Sequence, residues 1–250
     1  MEKRVAAYFV SDVHLGLDVK DEAERESRFV SFLRSIPKEE TKSVYLLGDI
    51  WDFWYEYRDV VPKGGIRVFS ALLDLMEGGV EVVFLPGNHD IWCYSYFESL
   101  GIKVMRSQPM VVEIGGKVFC LGHGDGLGPG MHPYKFMNSV FKCRPVQRLF
   151  SLLHPWLAFR IGRGWSKNSR LARNEKYSFE GESEPLYKWA LAFSQKQHVD
   201  YFIFGHLHTT VDVVLPSGAG LKVLPDWMDD SQYLKFDGMT VGSGHSIKTE

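Results

Sequence analysis

The amino-acid sequence predicts an α/β protein in which two sheets pack face to face with helices outside, and three observations carry that expectation. Short apolar runs, "VAAYFV", "SVYLL" and "VEVVFL", alternate with helical patterns in the first part of the chain, the order of βαβ units. A different pattern follows: "MVVEIGGKVFCL" reads as a hairpin, and "TTVDVVL", "GLKVL" and "QYLKFDGMTV" offer strands with no helix between them. At 250 residues and 45% hydrophobic, the chain can fill one large core, so a single domain is expected.

Each element has a local cause. "VAAYFV", "SVYLL", "VEVVFL", "GKVFCL" and "DYFIF" are continuous apolar, β-branched or aromatic runs, the signature of strands covered on both faces. In "DEAERESRFVSFLRSI", Phe29, Phe32, Leu33 and Ile36 fall at i, i+3, i+4 and i+7, which predicts a helix with one apolar stripe. "GIRVFSALLDLMEGG" predicts a second helix, stopped by Gly78 and Gly79. The hairpin turns at Gly115-Gly116.

Residues 131–176 fit neither half. They hold ten basic residues against one acid, Glu175, a formal charge of plus 9, so the rest of a chain whose net charge is minus 2 carries minus 11. Leu149, Leu152, Leu153, Trp156, Leu157 and Ile161 fall largely along one helical face, and "YKFMNSVF" adds a shorter stripe. The stretch reads as an inserted, mostly helical cap. No run of about 18 apolar residues is present, and "MEKRVAAYFV" enters a strand without the pattern of a signal peptide. A cytoplasmic protein, or one on the inner face of a membrane, is expected. Cys93, Cys120 and Cys143 lack CxxC spacing and read as reduced core thiols.

Five times an apolar run ends in hard or borderline metal ligands: "YFVSDVH", "VYLLGD", "VVFLPGNHD", "VFCLGHGD" and "YFIFGHLH". Ligands of α/β sheets gather beyond the carboxyl ends of strands, so the five ends can share one site. It would hold Asp12, His14, Asp49, Asn88, His123, His206 and His208. This oxygen-and-imidazole set without thiolate suits Mn²⁺, Fe²⁺ or Zn²⁺. Seven ligands are too many for one ion, so two metals are implied. Asp49, alone at its strand end, is the candidate bridge. Asp12 and His14, like His206 and His208, would share one side of an extended segment. His132, His154, His198 and His245 lack such context and read as structural or solvent-facing. The glycine fragments "GHGDG" and "GLGPG" lack the helix a dinucleotide fingerprint needs.

In this order the motifs resemble the calcineurin-like metallophosphoesterase superfamily: Asp-x-His, Gly-Asp, Gly-Asn-His-Asp, Gly-His and Gly-His-x-His, from Asp12 to His208. The resemblance implies a four-layer αββα sandwich. One metal would take Asp12, His14, Asp49 and His208, and the other Asp49, Asn88, His123 and His206. "GDIWDFW", "GHGDGLGPG" and a basic, apolar cap containing "WSKNSR" further resemble the UDP-2,3-diacylglucosamine pyrophosphatases of lipid A biosynthesis. That resemblance implies hydrolysis of a UDP-linked diacylglucosamine to UMP and 2,3-diacylglucosamine 1-phosphate, with Mn²⁺ the first choice of metal. It also implies an enzyme seated peripherally on the inner membrane, with neither nucleic-acid nor protein partner. Substrate would meet Asn88, His89, His206 and the cap residues Tyr134, Ser166, Arg170 and Arg173. His89 stands where the best-known members of that family carry Arg, and Met131 where they carry a sugar-contacting Asp.

The expected chemistry is attack on phosphorus by a hydroxide held between two ions. His89, not a ligand, would donate to the charged transition state, and Asp90 would orient or charge its ring. Activity should fall below about pH 6, where a free imidazole protonates. Rival expectations are a phosphoesterase acting on a soluble nucleotide or phosphoprotein, a nuclease drawn to a phosphate backbone by the cationic stretch, and a non-catalytic scaffold that keeps the fold.

Overall fold

The computed structural model describes residues 4–17, 21–171, 177–228 and 230–246, with side chains for all of these except Pro133 and residues 167–171. The chain runs β1 (Ala6–Val10), α1 (Glu22–Ser35), β2 (Thr41–Leu46), α2 (Ile66–Glu77), β3 (Glu81–Phe84), the short α3 (Tyr96–Ser99), β4 (Lys103–Val104) and the hairpin β5 (Met110–Ile114) and β6 (Lys117–Leu121). Three helices follow, α4 (His132–Lys142), α5 (Arg144–Ser151) and α6 (Pro155–Leu171), then α7 (Pro185–Ser194) and β7 (Tyr201–Phe204), β8 (Val211–Val214), β9 (Gly220–Val223), β10 (Gln232–Phe236) and β11 (Val241–His245).

The strands form two sheets, ordered β11-β10-β1-β2-β3-β4 and β5-β6-β7-β9-β8. β1 to β4 are parallel, as are β6, β7 and β9. The chain crosses back at its end: "QYLKFDGMTV" folds as the antiparallel pair β10 and β11 on the edge of the first sheet, beside β1.

Alternation along each strand separates three cores. In β1, Ala7 and Phe9 meet Tyr45, Phe119, Ile203 and Phe236 between the sheets. Tyr8 and Val10 face the other way, onto Phe29, Phe32 and Leu33 of α1 and Leu72 and Leu75 of α2. On the far side, Phe202, Phe204 and Leu221 pack on Leu186, Tyr187 and Ala190 of α7. Helix, sheet, sheet and helix are therefore stacked, the expected four layers. Each fully buried aromatic contributes about 1.5–3 kcal/mol, and Phe9, Phe29, Phe84, Phe119, Phe202 and Phe204 are all fully buried.

Two expectations are corrected. The apolar stripe from Leu149 to Ile161 is not one helix: α5 ends at Ser151 and α6 begins at Pro155, because proline lacks the N–H and clashes with the preceding turn. Cys143 is exposed, unlike the buried Cys93 and Cys120. Helix α7 was not foreseen. A fourth, smaller cluster fastens α4, α5 and α6 to the sandwich: Phe53, Tyr55 and Trp92 pack against Phe141, Phe150 and Phe159.

Candidate metal centre

The five ligand-bearing segments meet at the carboxyl ends of β1, β2, β3, β6 and β7, as parallel strands in register require. Glycine makes the meeting close enough: a Cβ on Gly48 would collide with the backbone of Gly87 and the ring of His123, and one on Gly205 with Ser11 and Asp12. Among the described residues, six non-glycine residues have positive φ, and five of them are candidate ligands: Asp12 at 54°, His14 at 51°, Asp49 at 52°, His206 at 70° and His208 at 52°. Asp and His tolerate this region better than most, yet each such residue costs on the order of 1 kcal/mol. The pairs Asp12/His14 and His206/His208 thus converge through left-handed turns, not through the extended segments expected.

One donor cluster gathers around Asp12. Its Oδ2 accepts from Ser11 Oγ at 2.5 Å and from the backbone N–H of His206 at 2.9 Å. Its Oδ1 is buried, has no hydrogen-bond partner, and lies 3.1 Å from His208 Nε2 and 3.6 Å from His14 Nε2. Those two imidazole nitrogens are 3.3 Å apart. The second cluster gathers around His123 Nε2, which lies 3.3 Å from Asp49 Oδ2, 3.2 Å from Asn88 Oδ1 and 3.3 Å from His206 Nδ1. Asp49 joins the clusters, since its carboxylate falls within ligand reach of Asp12 with His123 and of His14 with His89. An orphaned carboxylate oxygen facing two imidazoles, with a second such knot sharing one aspartate, fits a pair of divalent ions.

Outer groups set which nitrogen is free. His123 Nδ1 sits 2.9 Å from the Leu47 carbonyl, so it carries the proton and leaves Nε2 a lone pair. His208 Nδ1 lies 3.1 Å from Asp226, and His14 Nδ1 3.4 Å from Asp52. Gln108 clips two strand ends together: its Nε2 donates to the Pro86 carbonyl and its Oε1 accepts from His123 N. Asp52, Asp226 and Gln108 were not found from sequence, although Asp52 lies inside "GDIWDFW".

The electrostatics follow from this burial. Burial alone would raise Asp12, but His14 and His208 outweigh it and hold the carboxyl well below its usual range. Asp49 is likewise lowered, against burial, by His123 and His89. Burial opposes charge on His208, yet Asp12 and Asp226 push it up to about 9, and Asp49 chiefly raises His123 in the same way. Metal-free, both imidazoles hold protons that ions must displace.

His89 and Asp90 part company. Asp90 does not support the His89 ring; its carboxylate accepts from the backbone N–H groups of Asp49, Ile50, Trp51 and Gly87. It pins the Gly48–Asp49 turn to the Gly87 turn, while burial and the Asp49 charge push its acid up to about 7. The His89 ring is held by Asp52, whose carbonyl accepts from Nδ1 at 2.7 Å. Nε2 therefore faces Asp49 Oδ2, 3.9 Å away, and burial lowers the imidazole's pKa.

Of the cap residues, Tyr134 reaches the site: its ring centroid is 5.9 Å from that of His206, and its hydroxyl donates to Asp125. Ser166 is fully buried and donates to Asp52 Oδ2 at 2.7 Å, which fastens α6 to the centre. The side chain of Arg170, and Arg173 altogether, lie outside the described residues. Trp165, also on α6, lies 5.4 Å from the His89 ring. His132, His154, His198 and His245 are exposed.

The chain is similar to several proteins of known name. A protein called UDP-2,3-diacylglucosamine hydrolase from Porphyromonas gingivalis is 34% identical over 95% of this chain and 96% of its own length. Proteins of the same name from Aromatoleum aromaticum and Neisseria gonorrhoeae are 29% and 27% identical, covering 94% and 93% of this chain and 94% of each relative. Among solved structures, an archaeal phosphodiesterase and the Thermus thermophilus protein TT1561 each superpose with a TM-score of 0.50, at 11% and 9% identity, over 96% and 98% of this chain and 99% and 100% of theirs. That similarity supports the sandwich fold. Residues 7–210, which include every candidate ligand, match the family model of the calcineurin-like phosphoesterases, and the chain belongs to that family.

Proposed function

We propose that the protein hydrolyses the pyrophosphate of UDP-2,3-diacylglucosamine, releasing UMP and 2,3-diacylglucosamine 1-phosphate. The observation that carries this reading is that the likeness to the Porphyromonas gingivalis hydrolase spans 95% of the chain, the helical stretch as well as the metal centre.

A pair of divalent ions, Mn²⁺ first and Fe²⁺ or Zn²⁺ as alternatives, would supply Lewis acidity and a nucleophilic water. Asp12, His14, Asp49 and His208 would hold one and Asp49, Asn88, His123 and His206 the other. The remaining work falls to the chain. The His89 ring is held with its Nε2 turned inward by the Asp52 carbonyl. There it would donate a hydrogen bond or a proton to the charge that develops on the phosphoryl oxygens. Trp165 lies against the His89 ring and Tyr134 against the His206 ring, where both would border a bound substrate.

The cap of residues 131–176 suits a lipid. Leu149 on α5, Leu152 in the turn after it and Trp156 on α6 are 67%, 80% and 63% exposed, and α6 also carries Arg160 and Arg163. Apolar side chains accompanied by cations fit the boundary of an anionic bilayer, and among the described residues no helix is long and apolar enough to cross a membrane. We therefore place the protein peripherally on the cytoplasmic face of the inner membrane, acting alone and without nucleic acid. The test is release of UMP from UDP-2,3-diacylglucosamine by purified protein, with and without Mn²⁺, beside a chromogenic phosphodiester. Metal-dependent UMP release is expected; turnover of the diester alone would overturn the lipid assignment.

A further inference from the structure

A cleft of about 950 Å³ opens between α4 and α5 on one side and the Tyr55–Arg58 and Cys93–Tyr94 segments on the other. Its floor includes Pro86, Gly87, Gly122 and Gly124, the residues that flank Asn88 and His123. The cleft therefore runs beside the backbone that carries the second donor cluster, although no ligand side chain of that cluster lines it. Its size lies at the upper end of ordinary ligand pockets, roughly 300–1,000 Å³.

Its charge is unbalanced. Lys142, Arg144 and Arg148 line it, and no hydrogen bond or ion pair joins their side chains to any described residue. Other charged groups of the lining are spent: Arg106 forms a fork with Glu98 and donates to Cys93 and Tyr94 carbonyls. Glu56 accepts from the backbone N–H groups of Tyr94, Ser95 and Tyr96, and Asp125 from Tyr134 and Asn138. What remains, besides an almost fully exposed Arg58 that lies 4.0 Å from Asp59, is a set of three cations without a partner among the described residues, in a cleft also lined by the aromatic rings of Tyr57 and Tyr94, the latter 40% exposed. Cations beside rings suit a ligand that is both anionic and aromatic.

The substrate proposed above has two unlike halves, and the molecule presents two unlike surfaces beside the metal centre. Acyl chains match the exposed apolar side chains of α5 and α6. A charged, partly polar cleft would be a poor host for them, because unpaired cations buried against hydrocarbon lose their hydration without compensation. The geometry points to this cleft as the seat of the nucleotide half: the uracil against Tyr57 or Tyr94, and the phosphate, on its way to the second donor cluster, facing Lys142, Arg144 and Arg148. The inference rests on the proposed function and adds to it where the leaving nucleotide sits and which residues select it.

Two measurements test it. In the holoenzyme loaded with Mn²⁺, the triple variant Lys142→Gln/Arg144→Gln/Arg148→Gln should raise the KM for UDP-2,3-diacylglucosamine and the inhibition constant of UMP together by about tenfold or more, while kcat changes by less than about threefold. An unchanged KM and UMP constant would overturn the assignment. So would a variant that loses binding to phosphatidylglycerol vesicles but keeps its affinity for UMP, because the cations would then serve the membrane. The second measurement needs no variant: photo-crosslinking of 4-thiouridine monophosphate to the wild-type protein should label the cleft, at Tyr57, Tyr94 or residues 142–148. Labelling confined to α6 would place the nucleotide elsewhere. A wild type that releases no UMP at all defeats the proposed function, whereas a wild type that releases UMP with an indifferent triple variant defeats only the cleft.

Discussion

The metal centre and the cap are built on opposite terms. Asp12, His14 and His123 are wholly buried, drawn from strand ends far apart in sequence, and five ligands sit in left-handed backbone. The cap helices follow one another in the chain, α5 buries no residue, and Leu152 and Trp156 stand in solvent. The first is over-determined by the fold around it, which is how a strained constellation persists. The second is held at its base by Phe53, Tyr55 and Trp92 and leaves an apolar surface for something outside the chain to cover. On the proposed function, chemistry belongs to the buried part and substrate choice to the open one.

This contrast can be broken at its strongest point first. Asp49→Ala removes the shared carboxylate, so both ions should be lost or weakened and kcat/KM should fall about a thousandfold or more, checked by metal analysis beside turnover. His89→Ala should keep both metals and lower kcat by about a hundredfold, the scale of one general acid or hydrogen-bond donor. Metal loss in that variant would make His89 a ligand.

Asp52→Ala acts at the junction of the two regions, since this carboxylate faces His14 Nδ1 and accepts from Ser166 of the cap. A loss of about 10–100-fold in metal affinity or turnover is expected. Ser166→Ala should share the loss on the lipid substrate while changing turnover of a small diester less.

A pH series sharpens the electrostatic side. His208, raised to about 9 by Asp12 and Asp226 against the cost of burial, gives the metal-free protein stability that is fully present below its unfolded value near 6.5 and lost as pH rises through 9. Metal binding needs the neutral ring. The melting temperature of the stripped protein should therefore fall between pH 6.5 and 8.5, and the increment from saturating metal should grow. The same competition sets metal loading well above the pH 6 expected of a free imidazole. The smallest effect on stability belongs to Leu152→Asp with Trp156→Asp: exposed as they are, they should change unfolding free energy by no more than about 0.5 kcal/mol each, while vesicle co-sedimentation is lost.

The ligands were legible because each ends an apolar run, and a buried strand must expose its carboxyl end where a parallel sheet gathers ligands. Their supports were not, because Asp52, Asp226 and Gln108 share no spacing and are recruited only by tertiary contact. Asp90 shows the hazard of reading adjacency: next to His89 in sequence, it points to the backbone of another strand end. The cap's charge and apolar side chains were visible, but its division at Pro155 was masked by an uninterrupted stripe. Helix α7, "PLYKWALAFS", carries a start signal of its own in Pro185 at its first turn.

The central claim is that one buried aspartate joins two donor clusters into a dinuclear centre. Anomalous diffraction from crystals grown with Mn²⁺ tests it directly. Two peaks about 3.5–4 Å apart, with Asp49 between them and Asn88 and His208 on opposite ions, are the expected result; a single ion, or a pair that leaves Asp49 uncoordinated, would contradict it.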